Sequence, residues 1–316
     1  MKVKYIVRSF LFMTGLLICL GTASIVVFPK NNTMEFGMRD VNANGILGEN
    51  DNTIDVLVLG DSESYSSISP MTIWNETGIT SYVCGTSAQQ LYESMNFLKQ
   101  ALQNQKPKIV ILETNAIYRN FSPVKMIENG FNQLFPIFQY HNRWKSILPV
   151  DFGGSIEYTW RDDLKGFKYS NKIEGTNAQD YMSKTDKIAE ISELNRQYVK
   201  EMAKLCEEND AKFILVSTPS TVNWNYARHN GICLLAEEYE LDYYDLNLLS
   251  KEILIDWSQD TRDKGDHLNY YGAFKVSKYL AHFLKEKYAL SDHRQEKEYQ
   301  SWNESYQRYQ TIVAQN

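Results

Sequence analysis

A serine and a histidine that lie far apart in the sequence are the residues best suited to act together in chemistry. Ser62 follows the apolar run VLVLGD, where a strand pattern gives way to small polar residues. A serine hydroxyl is a weak nucleophile near neutral pH, so it needs a base and a place for the developing negative charge. Histidine is the usual base, and His267 stands in the polar stretch DKGDHLN just before a helical pattern. The alternative is that Ser62 is a turn residue, because turns favour small polar side chains.

The other four histidines have structural explanations. Two fall on predicted helices, one in a long aromatic segment and one in a charged tail where solvation is the default: His229 and His282, His141, and His293, respectively. We therefore take His267 as the candidate base.

A parallel sheet is predicted to bring Ser62 and His267 together. Five apolar runs of strand length are rich in β-branched or aromatic residues, as buried parallel strands are. Helical patterns lie between these runs, so the alternation predicts a three-layer α/β/α domain with a five-stranded parallel sheet and right-handed crossovers. In such sheets, sites form where the carboxyl ends of the strands meet. The five runs are 56–60, 81–85, 109–113, 213–218 and 242–246.

The composition excludes several classes of protein. A hydrophobic fraction of 43% and a charged fraction of 23% in 316 residues are typical of a folded globular chain. The net charge of −6 argues against nucleic-acid binding. The four cysteines show no metal-ligand spacing and no disulfide framework, and we expect no metal and no cofactor.

The amino terminus reads as a membrane anchor. Lys2, Lys4 and Arg8 precede an uncharged run at 10–28, which reaches roughly 28 Å as a helix, close to the apolar thickness of a bilayer. The basic residues before this run and their scarcity just after it place the amino terminus in the cytoplasm and the rest outside. A cleaved signal peptide is the alternative, although the apolar run continues past the small residues GTA where a cut would fall.

Five segments follow from these patterns. We predict a cytoplasmic terminus and transmembrane anchor at 1–30, a linker at 31–52, a main α/β domain at 53–288 and a helical tail at 289–316. Residues 116–185 interrupt the main domain with an aromatic-rich stretch, and a connection this long is expected to form a lid or binding region.

Four segments resemble, in order, the motif blocks of the SGNH (GDSL-type) hydrolase superfamily. Residues 60–62 read Gly-Asp-Ser, which implies that Ser62 is the nucleophile. Gly85 ends the next strand, and its backbone N–H is implied to form an oxyanion hole with that of Ser62. Asn115 is the implied third oxyanion donor, although the usual Gly-x-Asn-Asp is absent. The resemblance covers about 53–288 and implies a flavodoxin-like α/β/α hydrolase fold.

The last block, Asp-x-x-His before the final helix, implies that His267 is the base. Here the pattern departs, because Lys264 stands three residues before the histidine. Asp263 stands four residues before and can reach the imidazole across one turn, whereas the adjacent Asp266 would usually point away. We predict that Asp263 orients the ring, with Asp266 as the alternative.

Further polar and aromatic residues are candidates for the pocket. Asp61 precedes the serine, and Glu113 at the end of the third strand is either a partner in the site or an ordinary strand-end acid. Trp224 after the fourth strand either lines the pocket or packs in the core. Glu63 is interpreted as a first-turn helix residue, where the helix dipole favours an acid.

Within the superfamily, the chain most resembles membrane-anchored bacterial members, such as the D-alanyl transfer protein of lipoteichoic acid synthesis and alginate-type O-acetyltransferases. The resemblance rests on the single anchor and on the stretches SISPMTIWNETGITSYVCGTSAQ and GDHLNYYGAFK. It implies a serine esterase or O-acyltransferase that acts on acyl esters of teichoic acid or exopolysaccharide, with a membrane-bound O-acyltransferase as partner.

Two alternatives remain open at this point. The shifted aspartate and the incomplete third block favour a non-catalytic partner of the same fold, which docks an acyltransferase or a glycan. A receptor or transport protein with a flavodoxin-like domain would leave the pairing of Ser62 with His267 unexplained, and no Gly-rich phosphate loop supports nucleotide binding.

Overall fold

The computed structural model describes residues 2–178 and 180–315, and the chain forms two compact units. The larger unit takes in 42–120 and 161–316, and the smaller takes in 1–41 and 121–160. The segment 116–185, predicted as one insertion, is therefore shared between the two units. Residues 42–52, predicted as part of a linker, belong to the larger unit.

The larger unit contains a five-stranded parallel sheet in the order β2-β1-β3-β4-β5, which confirms the predicted fold class. Each strand lies within two residues of its predicted bounds. The strands are β1 (Val56–Gly60), β2 (Ser81–Gly85), β3 (Ile109–Glu113), β4 (Lys212–Ser217) and β5 (Asp242–Asp245).

Helices and short 3₁₀ turns connect the strands. The helices of the larger unit are α2 (Val41–Asn44, whose first residue belongs to the smaller unit), α3 (Ser62–Ser67), α4 (Pro70–Thr77), α5 (Leu91–Ala101), α8 (Glu193–Glu207), α9 (Tyr226–Glu238), α10 (Ser250–Ile253), α11 (Tyr270–Tyr288) and α12 (Gln300–Gln315). Those of the smaller unit are α1 (Lys2–Val27), α6 (Pro123–Leu134) and α7 (Ile137–Tyr140). The 3₁₀ turns are Gly45–Gly48, Thr114–Tyr118, His141–Ser146, Pro149–Phe152 and Lys297–Tyr299.

Apolar side chains on both faces of the sheet form the core. In β1 every residue is buried, so its side chains alternate between the two helical layers. One face joins Val56 and Val58 to Val276 and Leu280 of α11 in a single cluster. On the other side α5 packs against β1, and α8 packs against β4. Fully burying one such aliphatic side chain contributes about 1.5–3 kcal/mol, so the central strands are firmly held.

The segment after residue 160 covers the open edge of β2. The Val83 N–H donates to the Lys165 carbonyl at 2.9 Å. The Lys165 ammonium is buried, and it pairs with Glu49 at 2.7 Å. Gly166 has φ +88°, and a Cβ there would lie 1.9 Å from the Val83 carbonyl, so only glycine permits this approach. An edge strand that is covered in this way is not available for pairing with another chain.

The smaller unit is built around the end of α1. Side chains along most of this helix are exposed, and burial begins in its last turn, at Ser24 and Val27. The Arg143 guanidinium donates to the Val27 carbonyl at 2.7 Å and pairs with Asp151 through one nitrogen at 3.0 and 3.1 Å. The last carbonyl groups of a helix have no hydrogen-bond partner within the helix. By donating to one of them, Arg143 caps the carboxyl end of α1.

Candidate active site

The turn from β1 into α3 places Ser62 at the carboxyl end of the central strand. Gly60 ends the strand with φ +156°, and a Cβ there would lie 2.7 Å from Cβ of Glu113. Asp61 caps the helix, since its side chain accepts from the Glu63 N–H at 3.0 Å. Ser62 is therefore the first residue of α3, and the strand and the helix meet without an intervening loop.

His267 has one ring nitrogen fixed by a carboxylate and the other unpartnered. Its Nδ1 lies 2.7 Å from Oδ2 of Asp263, and its backbone N–H donates to Oδ1 of the same side chain at 2.6 Å. Asp266 is further away, at 3.6 Å from Nδ1. Nε2 is buried and has no hydrogen-bond partner among the described residues. A hydrogen bond from Nδ1–H to a carboxylate leaves Nε2 as the proton acceptor.

The structure brings the Ser62 turn and the His267 loop together at one edge of the sheet. Glu63, the next residue after Ser62, has a carboxylate oxygen within 4.8 Å of a His267 ring nitrogen. The Arg262 guanidinium also donates to the Ser66 hydroxyl at 2.7 Å, which ties the loop to α3. Two segments that are distant in sequence thus form a single site.

The predicted oxyanion residues surround the same turn. Gly85 lies directly opposite Gly60 in the pairing of β1 with β2. A Cβ on Gly85 would lie 2.4 Å from the Ser64 hydroxyl, so a larger residue would push α3 away. Asn115 is held from two sides, because its amide donates to Asp61 at 2.8 Å and accepts from Arg228 at 2.8 Å. These contacts fix the amide beside the site.

Three buried carboxyl groups lie beneath the site. Asp61 is 0% exposed and accepts from the Arg119 guanidinium as well as from Asn115. Burial raises the pKa of Glu63 well above its usual value, and the charges of Asp61 and Glu113 raise it further. Burial likewise raises the pKa of Glu113, followed by the effect of Asp61. Burial and the neighbouring acids thus favour the neutral forms of Glu63 and Glu113.

Glu63 was expected to be a first-turn acid at a helix terminus, and it does lie there, but its side chain is turned inward. It is 1% exposed, and its Oε1 accepts from the Asn223 amide at 2.7 Å. Its Oε2 is buried without a hydrogen-bond partner among the described residues. In the sequence, only the position of Glu63 next to Ser62 pointed to the site. Its inward orientation depends on the tertiary fold and could not be predicted.

Glu113 and Trp224 have the structural surroundings of core residues. Glu113 accepts from the Asn115 N–H at 3.0 Å, so it orders the turn that carries this asparagine. Trp224 is 2% exposed, and its indole N–H donates to Asp245 at 3.0 Å. Its ring packs edge-on against Tyr118, so it supports the wall of the site from behind.

A polar cavity of about 260 Å³ opens beside Asn115. Besides Asn115, the residues that line it include two guanidinium groups and several amides, which motif reasoning did not identify: Gln90, Arg119, Asn120, Asn223 and Arg228. Their only shared sequence signal is that most of them follow the carboxyl end of a strand.

One cluster among the described residues has metal-ligand spacing. Glu63, Asp266 and His267 each offer one ligand atom, and these atoms lie within 4.8 Å of one another. His267 would bind through Nε2, because Nδ1 is bonded to Asp263. A bound metal ion would therefore occupy the nitrogen that a general base needs.

A second histidine–carboxylate pair lies away from Ser62. Nδ1 of His229 is 2.9 Å from Asp245, and its Nε2 is 3.4 Å from the Cys233 sulfur. Burial raises the pKa of the Cys233 thiol, and the Asp245 charge adds to this effect. Since the thiolate is the reactive form, this trio is a poor nucleophilic site.

No family model and no curated protein matches the sequence. Solved structures to which the chain is similar include a GDSL-like lipase from Bacteroides thetaiotaomicron, a lipase/acylhydrolase from Enterococcus faecalis and the psychrotrophic esterase EstA from Pseudoalteromonas sp.. Their sequence identities are 14%, 11% and 11%, and their TM-scores are 0.36, 0.37 and 0.38. Each similarity covers 74% of this chain and 88%, 97% and 98% of the other chain, respectively. At these values the similarity carries no functional argument, and function has to be argued from the site.

The buried Glu63 carboxyl predicts a pH-dependent stability difference. A group whose pKa is raised on folding stabilises the fold fully below its unfolded pKa, and this contribution is lost as the pH rises through the folded value. The Glu63→Gln side chain cannot ionise, so the variant does not lose this stability as the pH rises. We therefore expect the free energy of unfolding of the variant, relative to that of the wild type, to be at least about 1 kcal/mol higher at pH 8 than at pH 4.

Denaturant unfolding at the two pH values measures this difference. Glu208→Gln is the matched control, because this side chain is exposed on the surface, and it should show little dependence on pH. An equal effect of Glu63→Gln at both pH values would contradict a raised pKa.

Proposed function

We propose that the protein is a membrane-anchored extracytoplasmic serine esterase or O-acyltransferase that acts on acyl esters of cell-surface polymers. The observation that carries this proposal is the hydrogen bonding of the two ring nitrogens of His267. Its Nδ1 is bonded to Asp263 at 2.7 Å, while Nε2 is buried and unpartnered beside the turn that begins with Ser62. A ring held by a carboxylate at Nδ1 and open at Nε2 has the tautomer that a general base for a serine nucleophile requires.

The chemistry would proceed in two balanced halves. Ser62 Oγ attacks the ester carbonyl carbon as its proton passes to Nε2 of His267, and the carbonyl oxygen becomes an oxyanion. The intermediate collapses to an acyl-serine, and the departing alkoxide takes the proton from Nε2. In the second half water or a polymer hydroxyl attacks the acyl group, gives its proton to Nε2, and releases Ser62 with its proton restored.

Backbone donors at the strand ends would stabilise the oxyanion. The N–H groups of Ser62 and Gly85 are the two candidates from the main chain, and the Asn115 amide is the third. Loss of one such donor typically reduces the rate about 100-fold to 1,000-fold. Asp263 would hold the imidazolium that forms when His267 takes the proton.

We take the acyl-bearing polymer and the protein partner from the resemblance to membrane-anchored SGNH proteins. Teichoic acid or exopolysaccharide esters are the proposed substrates, and a membrane-bound O-acyltransferase is the proposed partner. A polar cavity beside Asn115 supports a hydroxyl-rich substrate over an apolar acyl lipid.

Two apolar surfaces of the smaller unit support its place at a bilayer. The stretch Val3–Val27 is long and apolar enough to cross a membrane, and only 11% of its apolar window is buried. Helix α6 also exposes a row of apolar side chains at helical spacing, namely Val124, Ile127, Phe131 and Leu134. An amphipathic helix that belongs to the same unit as a candidate membrane-crossing helix is suited to lie in the lipid interface.

A non-catalytic partner protein of the same fold is the second candidate. The contacts of Asn115 favour it, because its amide already donates to Asp61 instead of being directed wholly toward a ligand. In that case the cavity would bind a glycan or an acyltransferase without turnover.

Substitution of the candidate nucleophile separates the two functions. A fluorophosphonate probe should label the full chain in detergent, and Ser62→Ala should abolish labelling and reduce hydrolysis of p-nitrophenyl acetate by about 1,000-fold or more. Ser64→Ala is the matched control, because the Ser64 hydroxyl is occupied by the Asp61 carbonyl at 2.7 Å. Labelling that survives Ser62→Ala would place the nucleophile elsewhere, and an unlabelled wild type would favour the partner protein.

The two aspartates near His267 should differ in importance. We expect Asp263→Asn to reduce kcat on the order of 100-fold or more, because it removes the acceptor that orients the ring. Asp266→Asn should reduce it less than about 10-fold, since it removes a charge 3.6 Å from Nδ1 but leaves the hydrogen bond between Asp263 and Nδ1 in place. Steady-state kinetics on the same ester gives the ranking, and the reverse order would assign the orienting role to Asp266.

The anchor predicts the behaviour of the full chain in cells. The protein should remain in the membrane fraction after alkaline carbonate extraction, and protease added to intact spheroplasts should digest the larger unit. The double variant Leu16→Lys, Leu17→Lys should be extracted, because each charge at the centre of a helix costs about 2.5–3.5 kcal/mol on insertion. Recovery of wild-type protein in the soluble fraction, or a mature amino terminus beyond the apolar run, would contradict an uncleaved anchor.

A further inference from the structure

The cavity beside Asn115 contains a guanidinium group that has no carboxylate partner. Arg228, in the first turn of α9, donates to the Asn115 side-chain oxygen at 2.8 Å and to the Asn223 carbonyl. Among the residues that the structure describes, no carboxylate lies within 4.0 Å of this side chain. Its guanidinium lies 4.8 Å from the centre of the Tyr118 ring, which holds it in place.

This charge is partly removed from water. Arg228 is half-buried, and burial lowers the pKa of its guanidinium, which nevertheless stays charged in a protein. The charges of Glu113 and Asp61 act on this guanidinium, but neither carboxylate forms a direct ion pair with it, and a partly desolvated cation without a direct ionic partner is unfavourable. The position of Arg228 therefore requires an explanation beyond folding.

A second guanidinium makes the cavity net positive. Arg119 lines the same space and pairs with the buried Asp61 carboxylate. That carboxylate is already shared with Asn115 at 2.8 Å and with the Glu63 N–H at 3.0 Å. Among the described residues, Asp61 is thus the one carboxylate that forms an ion pair with either guanidinium, and burial raises the pKa of Glu113 and Glu63, which favours their neutral forms.

The remaining walls and the volume suit an oxyanion. The amides of Gln90 and Asn120 line the cavity and can donate hydrogen bonds. The volume is about 260 Å³, whereas one water needs only about 10–15 Å³ of such space. The cavity thus has room for a phosphate or carboxylate together with part of the chain that bears it.

The cavity shares two side chains with the candidate reaction centre. Asn115 is the candidate oxyanion donor, and its carbonyl oxygen is the group that Arg228 contacts. Asn223 donates to Glu63 at 2.7 Å and to Asp266, two residues that lie near the His267 ring. A group bound between the two guanidiniums would consequently lie next to an ester held at Ser62.

From this juxtaposition we infer that Arg228, with Arg119, forms a subsite for an oxyanion carried by the substrate polymer close to its ester. The ligand class is a phosphodiester or a carboxylate, which guanidinium groups bind with paired hydrogen bonds. The inference rests on the proposed function and narrows it, since it selects anionic surface polymers over neutral glycans.

Binding without turnover tests the subsite directly. Titration calorimetry on the full-length Ser62→Ala chain in detergent would use three probes: a glycerol phosphate oligomer, a uronate oligosaccharide and a neutral glycan. We expect an anionic probe to bind, with affinity that falls as salt rises, and the neutral glycan to bind at least 10-fold more weakly. The first two probes distinguish phosphate from carboxylate as the source of the anion.

Substitutions locate the binding. Adding Arg228→Gln should weaken the anionic probe about 10-fold to 100-fold, Arg228→Lys should restore part of the affinity, and the exposed Arg308→Gln should have no effect. Thermal unfolding checks that each variant is folded. Equal affinity with Arg228→Gln, or equal binding of the neutral glycan, would overturn the inference.

Kinetics separates a direct role of Arg228 from an effect through Asn115. In otherwise wild-type protein, Arg228→Gln should lower kcat/KM for an acetylated glycerol phosphate at least 10-fold more than for p-nitrophenyl acetate. Asn115→Ala should lower both in parallel, and a parallel loss with Arg228→Gln would contradict the subsite. Fluorophosphonate labelling without anion binding would overturn this inference alone, whereas anion binding without labelling would overturn only the proposed catalysis.

Discussion

The buried Asp61 carboxylate is the interaction on which the rest of the site depends. It caps the helix that begins with Ser62, and it accepts from Asn115 and from Arg119. A fully buried carboxylate is stable only while such donors remain, because taking an unpaired charge out of water costs several kcal/mol. The same charge therefore fixes the helix, the asparagine and one cation in a single arrangement.

That carboxylate also influences the pKa values of its two acidic neighbours. Burial is the larger cause of the raised pKa values of Glu63 and Glu113, and Asp61 adds to both. A neutral Glu63, which this shift favours, is a weaker partner for the His267 ring than a carboxylate would be. Arg119 bonds directly to Asp61, and Asn115 bridges Asp61 to Arg228, which links the acid cluster to the polar cavity.

Sequence patterns predicted the sheet and the two segments that form the site. Buried parallel strands are continuous apolar runs, so β1 and β3 could be identified from composition alone. The inward side chain of Glu63, the unpaired charge of Arg228 and the buried pair of Lys165 with Glu49 could not, because a charged residue in a single sequence is expected to face solvent. The sequence also could not predict where the aromatic segment 116–185 divides between the two units. Residues 161–168 pack through main-chain contacts, and such contacts leave no periodic pattern in the sequence.

The loop before α11 shows why motif spacing is a weaker guide than geometry. Lys264 and Gly265 both have positive φ, at +62° and +90°, so the chain makes a tight left-handed turn there. A left-handed residue other than glycine costs about 1–2 kcal/mol, and the Thr261 hydroxyl helps to offset this by accepting from the Gly265 N–H at 2.8 Å. The extra residue relative to Asp-x-x-His is absorbed by that turn, so Asp263 still reaches both the backbone and the ring of His267. The spacing departs from the pattern of the block, while the hydrogen bond that the block implies is kept.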